Sequence, residues 1–391
     1  MANLEYLYDI SMTVVVNKKK HKIPSESINM FMIKYDYVNM FAPIIYTQIN
    51  LNVELYNTMQ KFRSSGHILL EIKKYKKDEK DLKKPYIKKQ LNYFFTNSDY
   101  DSDVVNNKDT DNTNSYRSCY LGLLDIDIIN DNNARVINNI FMNTNTTSII
   151  HYYLHNQKLV LEPFDNNPIH DLMIIPPITG ITNLLKYLNQ MSSFYKSGYR
   201  YFRDYNRTYI LSNKGRGIDI GRQHKTVHIN IEKRRGNQSI YKPGMIDNKK
   251  EKFYLLKVNV KQAQIDIDIS AGNKFNNFVG INSIGKIIRK LADENLGKKF
   301  KKKPKLIKIF NKNNTYVENI ANIQNLASNT LTITKSDIDA SIIEPHKEFV
   351  VENDTYLKAK NGKYILVAKQ EIYTKESTGF RCAVTATFNK V

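Results

Sequence analysis

Residues Ile28 to Val38 read INMFMIKYDYV, a strand-like alternation that is apolar on both sides. Phe31, Ile33, Tyr35 and Tyr37 fall on one face, and Ile28, Met30 and Met32 on the other. A strand of this kind has no face to offer to water, so it is buried on both or belongs to a closed or stacked sheet. Similar runs recur at Ser11 to Val16, at Ile45, Thr47, Ile49 and Leu51, and at His67 to Tyr75. Strands are also expected at Gln90 to Thr96 and at Tyr120 to Ile129. Asn17-Lys18-Lys19-Lys20 makes a polar turn, and a short helix is expected around Leu55, Met59 and Phe62, ended by Gly66. These elements form a first unit over residues 1–130, with Lys76–Lys89 and Asn97–Ser115 as exposed loops.

The period then changes. Over residues 131–213, Thr146 or Thr147 can cap a helix that carries Ile150, Tyr153 and Leu154 on one side. Leu159–Leu161 and Leu172–Ile175 read as strands, and Pro176-Pro177 is expected to stop the second of these, since neither proline can donate to a ladder. Ile181, Leu184, Leu185 and Leu188 fall at 0, 3, 4 and 7, one side of a helix. A tyrosine-rich hairpin follows, from Tyr199 to Ser212. Residues 214–315 are a basic region with expected strands at Val227–Ile231, Phe253–Val260 and Ile265–Ile269. Residues 316–391 read as a final all-β unit, with Asn361-Gly362 as a hairpin signal and with Phe380, Cys382, Val384, Ala386 and Phe388 in strict alternation.

The chain has 391 residues, enough for two to four domains, and its 41% apolar and 25% charged composition is that of a folded protein. No apolar run reaches membrane-spanning length, and the start MANLEYLYDISMTVVVNKKKHK lacks the order of a signal peptide. The protein is therefore expected to stay in the cytoplasm where it is made unless it leaves within an assembly. Cys119 and Cys382 lie in apolar alternating runs and read as buried hydrophobes.

Candidate chemistry is sparse. His151 and His155 have the i, i+4 spacing of a metal clasp but lack a Glu and a third ligand. His224 and His228 share that spacing on an expected strand, about 13 Å apart and too far for one ion. Asp99–Asp111 has oxygen ligands without the Gly and Glu of a calcium loop. Glu162, Asp165, His170 and Asp171 are read as turn residues. Asn213–Arg222 has glycines at 215, 217 and 221, one position off a dinucleotide fingerprint and outside its strand-turn-helix context. No cofactor, metal or catalytic residue is expected.

The formal charge is +21, from 59 Lys and Arg against 38 Asp and Glu. Such a field favours polyanions or acidic protein surfaces. Lys298, Lys299, Lys301, Lys302, Lys303 and Lys305, with Arg234 and Arg235, are the candidate contacts. A basic nucleic-acid-binding protein is accordingly one reading of the chain.

Three segments carry a resemblance. Glu162–Ser212 has the order EPFDNN, IIPPITG, LLKYLN and FYKSGYRYFRDYNRTYILS. Ile320–Phe349 contains NIQNLASNTLTITKSDIDASIIEPHKEF, and Asp354–Phe388 contains NGKYILVAKQEIYT before the last alternating strand. Together they resemble the baseplate hub proteins of contractile-tailed bacteriophages. The resemblance implies an α+β, mainly β fold, with two tube-like β-barrel domains and a small helix-hairpin α/β domain between them. It implies a structural, non-enzymatic virion protein whose copies form a ring, a homotrimer, joining tail tube to central spike. Its partners would be the tail tube protein, the spike, other baseplate proteins and DNA in the tail channel. A peripheral wedge protein is the alternative within the same class. The tyrosines would supply contact surface, and residues 214–315 have no counterpart.

Overall fold

The computed structural model describes residues 6–38, 40–76, 85–96, 104–105, 116–134, 136–155, 158–204, 207–213, 215, 217–218, 220, 226–231, 246–247, 252–255, 261–262, 277–281, 287–291, 305–308, 330–336, 340–352, 361–377 and 379–391. The fold is α+β and mainly β, as expected.

Its first strands are β1 (Tyr6–Val16), β2 (Lys19–Ile23), β3 (Ile28–Asp36) and β4 (Ile44–Asn52). The β1–β2 hairpin turns on two residues, Asn17 and Lys18, both at positive φ (48° and 63°). Left-handed geometry at both positions suits the right-handed twist of the strands. It is costly at lysine, which has a Cβ. The expected double-sided burial of β3 holds in graded form. Phe31, Ile33 and Tyr35 are buried and Met30 and Met32 half-buried, while a register shift between Ile28 and Met30 turns Ile28 inward as well.

Helix α1 (Val53–Lys61) is capped by Asn52, whose side-chain oxygen accepts from the Glu54 N–H at 2.8 Å. Then follow β5 (His67–Lys76), β6 (Pro85–Phe95), the two-residue β7 (Val104–Val105) and β8 (Tyr116–Asp125). Strand β6 begins inside the stretch read as a loop. Strand β8 ends earlier than its apolar pattern suggests. The Asp125 side chain accepts from the Asp127 N–H at 3.0 Å, and helix α2 (Ile126–Ala134) starts there.

The helix-hairpin region comprises β9 (Val136–Thr144), α3 (Thr146–Leu154), β10 (Leu159–Leu161), β11 (His170–Thr179), α4 (Ile181–Ser192), β12 (Tyr199–Arg203) and β13 (Thr208–Ser212). Later strands are β14 (Thr226–Ile231), β15 (Ile246–Asp247), β16 (Lys252–Leu255), β17 (Lys261–Gln262), β18 (Asn277–Ile281), β19 (Ile287–Leu291) and β20 (Lys305–Lys308). The chain ends with β21 (Thr330–Ser336), β22 (Glu348–Glu352), β23 (Gly362–Glu376) and β24 (Gly379–Lys390).

Antiparallel pairings run in a circle: β1 to β5, β6, β8, β4, β3, β23, β24 and back to β1, where Tyr8 meets Phe380. Six N-terminal strands and the C-terminal hairpin thus enclose one core. Ile10, Met12, Phe31, Ile33, Ile45, Ile49, Leu70, Leu121, Tyr373 and Val384 all lie in it. Each such side chain contributes roughly 1.5–3 kcal/mol of burial. Closing the circle also hides strand edges that would otherwise invite pairing with other chains.

Two hairpin readings change. Asn361-Gly362 is not the tip of a tight turn: Gly362 is already paired, opposite Val351, and β22 is the strand it pairs with. The segment YLKAK lies outside the described residues. The tight hairpin is β23–β24, where Glu376 pairs with Gly379. The alternation of Phe380, Cys382, Val384, Ala386 and Phe388 is borne out, since all five are buried.

Candidate functional site

The helix-hairpin region has its own core. Helix α4 buries Ile181, Leu184, Leu185 and Leu188, the four residues spaced for one face, against Ile149, Ile150 and Leu154 of α3. Helix α3 is capped by Asn145, one residue before the threonines read as caps. Its side-chain oxygen accepts from the Ser148 N–H at 2.9 Å. An Asn145→Ala change should cost about 1 kcal/mol, read from the chemical unfolding midpoint.

Three tyrosines in and beside the hairpin are core residues rather than contact surface. Tyr195, Tyr199 and Tyr209 are each 1–2% exposed. The Tyr195 hydroxyl donates to Glu162 O and the Tyr199 hydroxyl to Leu185 O, both at 2.6 Å. Asn189 holds Tyr199 from both sides, accepting from its N–H at 2.9 Å and donating to its carbonyl at 2.6 Å. Burial pushes the Tyr195 and Tyr199 phenols well above their ordinary range. Each tyrosine therefore fills volume and satisfies a backbone group inside the core.

The Pro-Pro stop also fails. Strand β11 runs on through Pro176 and Pro177 because the register against β9 jumps there, from Ile175 opposite Asn139 to Ile178 opposite Ile137. Prolines are tolerated at such a bulge in an edge strand.

A polar junction ties this region to the C-terminal strands. The buried Arg200 guanidinium donates to the Leu366 carbonyl and, at 3.2 Å, to Pro345 O. Burial lowers its pKa to about 10. Tyr209 stacks on Phe202 and on His346, with centroids at 4.9 and 6.2 Å. His346 Nδ1 lies 3.2 Å from Glu344 Oε2. Burial lifts the Glu344 carboxyl to about 7 and depresses the His346 imidazole to about 3. Deeper in, Lys369 Nζ lies 2.7 Å from Glu371 Oε1, and the Tyr373 hydroxyl donates to Glu371 Oε2 at 2.8 Å. This arrangement braces two parts of the chain against each other.

The candidate chemical residues are placed as structure. The Asp165 side chain accepts from the Lys196 N–H at 2.8 Å and Glu162 Oε2 from the Ser212 N–H at 3.0 Å. His170 Nε2 sits 2.7 Å from Ser192 Oγ. His151 is exposed on α3 and His155 is exposed at its C-cap. Among the described residues no group of three His, Cys, Asp or Glu could hold a metal ion, and no helix is long and apolar enough to cross a membrane. Lys298, Lys299, Lys301, Lys302, Lys303, Arg234 and Arg235 lie outside the described residues, as do His224 and all of Asp99–Asp111 except Val104 and Val105. Lys305 opens β20.

Residues 3–391 match the family model of the bacteriophage PBS1 gene 109 protein. The chain belongs to that family. No curated protein matches it in sequence. Among solved structures, this PBS1 gene 109 family member resembles the tail protein from Neisseria meningitidis MC58. That likeness has 12% identity and a TM-score of 0.53, and covers 98% of this chain and 97% of that one. The 43 kDa tail protein of prophage MuSo2 from Shewanella oneidensis is similar at 9% identity and a TM-score of 0.49, over 96% of both chains. At such identities the first likeness is one of fold, and it runs the length of both molecules.

Proposed function

We propose that this chain is a non-enzymatic structural subunit of a phage tail, and within the tail the baseplate hub. In this reading identical copies form a ring, a homotrimer, that joins the tail tube to the central spike and contacts other baseplate proteins in the virion. The observation that carries it is the end-to-end fold likeness to a tail protein, with coverage of 98% and 97%, in a chain of a bacteriophage family. The circle of strands fits the role, because a ring subunit needs a rigid body with few open edges. The N-terminal strands closed by β23 and β24 then supply a tube-like body, residues 131–213 the helix-hairpin module and 214–315 a basic connection. In this reading Lys298, Lys299, Lys301, Lys302, Lys303 and Lys305, with Arg234 and Arg235, are the contacts for channel DNA or acidic tube subunits.

The test is the solution mass at physiological salt with nucleic acid removed, followed by the position in a virion map. Three times 45.6 kDa and a place on the tail axis are expected. An off-axis place would make the chain a wedge protein. The charge of +21 favours a second reading, in which the chain binds nucleic acid. That reading requires tight binding of short DNA that falls steeply with added salt.

A further inference from the structure

The ribbon of β9 and β11 is apolar on both faces and, among the described residues, packs on only one. Its inner side chains, among them Ile137, Phe141, Met173 and Ile175, join the core of α3 and α4. Its outer face presents Val136, Ile140, Met142, Leu172 and Ile174, with Ile169 beside them, each 54–73% exposed. The register sets Ile140 opposite Ile174 and Met142 opposite Leu172, so four of the six form one contiguous block. Together they expose on the order of 600 Å² of apolar surface, the upper end of what a monomer leaves in water and near one side of a standard interface. Strands that are apolar on both faces belong where both faces are covered.

Charge selects the occupant. Residues 136–144 and 169–179 contain one ionised side chain, Asp171, and no Lys or Arg, in a chain of net charge +21. Copies of such a chain repel one another over most of their surface. A strip free of cations is where they can meet without burying like charges or having to pair them. An acidic partner would be drawn to the basic surface and has no need of such a strip. We infer that the outer face of the β9–β11 ribbon is where a neighbouring copy of this chain seats. The inference rests on the self-assembling ring proposed above and names one of its contact surfaces. In a closed ring the ribbon of one copy meets a different face of the next.

The test compares the full-length protein with Met142→Lys/Ile174→Lys by light scattering over a range of concentrations, nucleic acid removed. The wild type should assemble and the variant should run as the 45.6 kDa chain with an unchanged unfolding midpoint. A milder pair, Ile140→Thr/Ile174→Thr, keeps β-branched residues and should weaken association about tenfold or more, a readout that stands even if the lysine pair fails to fold. Variants that keep the wild-type mass would overturn the ribbon contact and leave the ring reading intact on another surface. A wild type that is monomeric alone, but joins a complex with tail tube protein through this face, would assign the face to that protein and overturn the inference too. The ring reading would then be decided separately by position in the virion map.

Discussion

Replacing Lys369 with Met should destabilise the fold by about 3–5 kcal/mol, one of the two largest changes expected here, read as a fall in the chemical unfolding midpoint. Lys369 and Glu371 are 5% and 0% exposed, and their charged atoms stand 2.7 Å apart. The lysine also lies 4.6 Å from the centre of the Tyr35 ring and donates to Ala340 O at 3.4 Å. Among the described residues, removing it leaves a carboxylate in the core with the Tyr373 hydroxyl as its hydrogen-bond donor. The double change Lys369→Met/Glu371→Leu removes both charges and should recover most of the loss. A residual of about 1–2 kcal/mol remains, because Tyr373 and Ala340 each lose a partner. If the single and double variants were equally unstable, packing rather than charge would be the cause, and the ion pair would have no role of its own.

That pair was only partly legible in the sequence. Lys369, Glu371 and Tyr373 follow the strand period of two, but a bulge between Leu366 and Ala368 shifts the phase, so the apolar residues that share their face are Tyr364 and Leu366, while Ile365 and Val367 pack in a separate cluster. The same periodicity made β1, β3, β4, β5 and β24 legible, and the 3.6-residue period made α4 legible down to its four core residues. What periodicity cannot carry is pairing over long separations. Nothing local to Tyr8 or Phe380 says that they meet, or that Arg200 reaches Leu366 and Pro345. Local chemistry overruled pattern in two places. Asp125 starts a helix inside an apolar run, and a bulge lets β11 absorb two prolines. Composition could not single out Tyr195, Tyr199 and Tyr209 as core residues, because it counts hydroxyls without saying whether they face water or a buried carbonyl. The outer face of β9–β11 shows the reverse limit. Its strand pattern asks for cover that the described residues do not supply.

The Glu344–His346 pair should make stability depend on pH in a way that the wild type conceals. Burial raises the Glu344 carboxyl from 4.5 to about 7, with Asp204 adding to the rise and Lys369, Lys347 and Arg207 opposing it. The folded state then holds this proton more tightly than the unfolded chain. Its stabilising share is complete below about pH 4.5 and is lost as pH rises to about 7. Burial, helped by Lys347 and Arg207, lowers His346 from 6.5 to about 3. Here the unfolded chain binds the proton better, so the share is complete above about pH 6.5 and is lost as pH falls to about 3. Between about 4.5 and 6.5 the two slopes oppose each other and nearly cancel. Glu344→Gln removes one of them. The variant's unfolding free energy, taken relative to wild type at each pH, should then rise with pH across that window by about 1.4 kcal/mol per unit. His346→Phe, which keeps a ring against Tyr209, should give the opposite slope relative to wild type over the window from 3 to 6.5. Parallel curves for Glu344→Gln and wild type would mean that Glu344 is ionised in the fold at ordinary carboxylate pH. Its neighbours Lys369, Lys347 and Arg207 would then outweigh its burial.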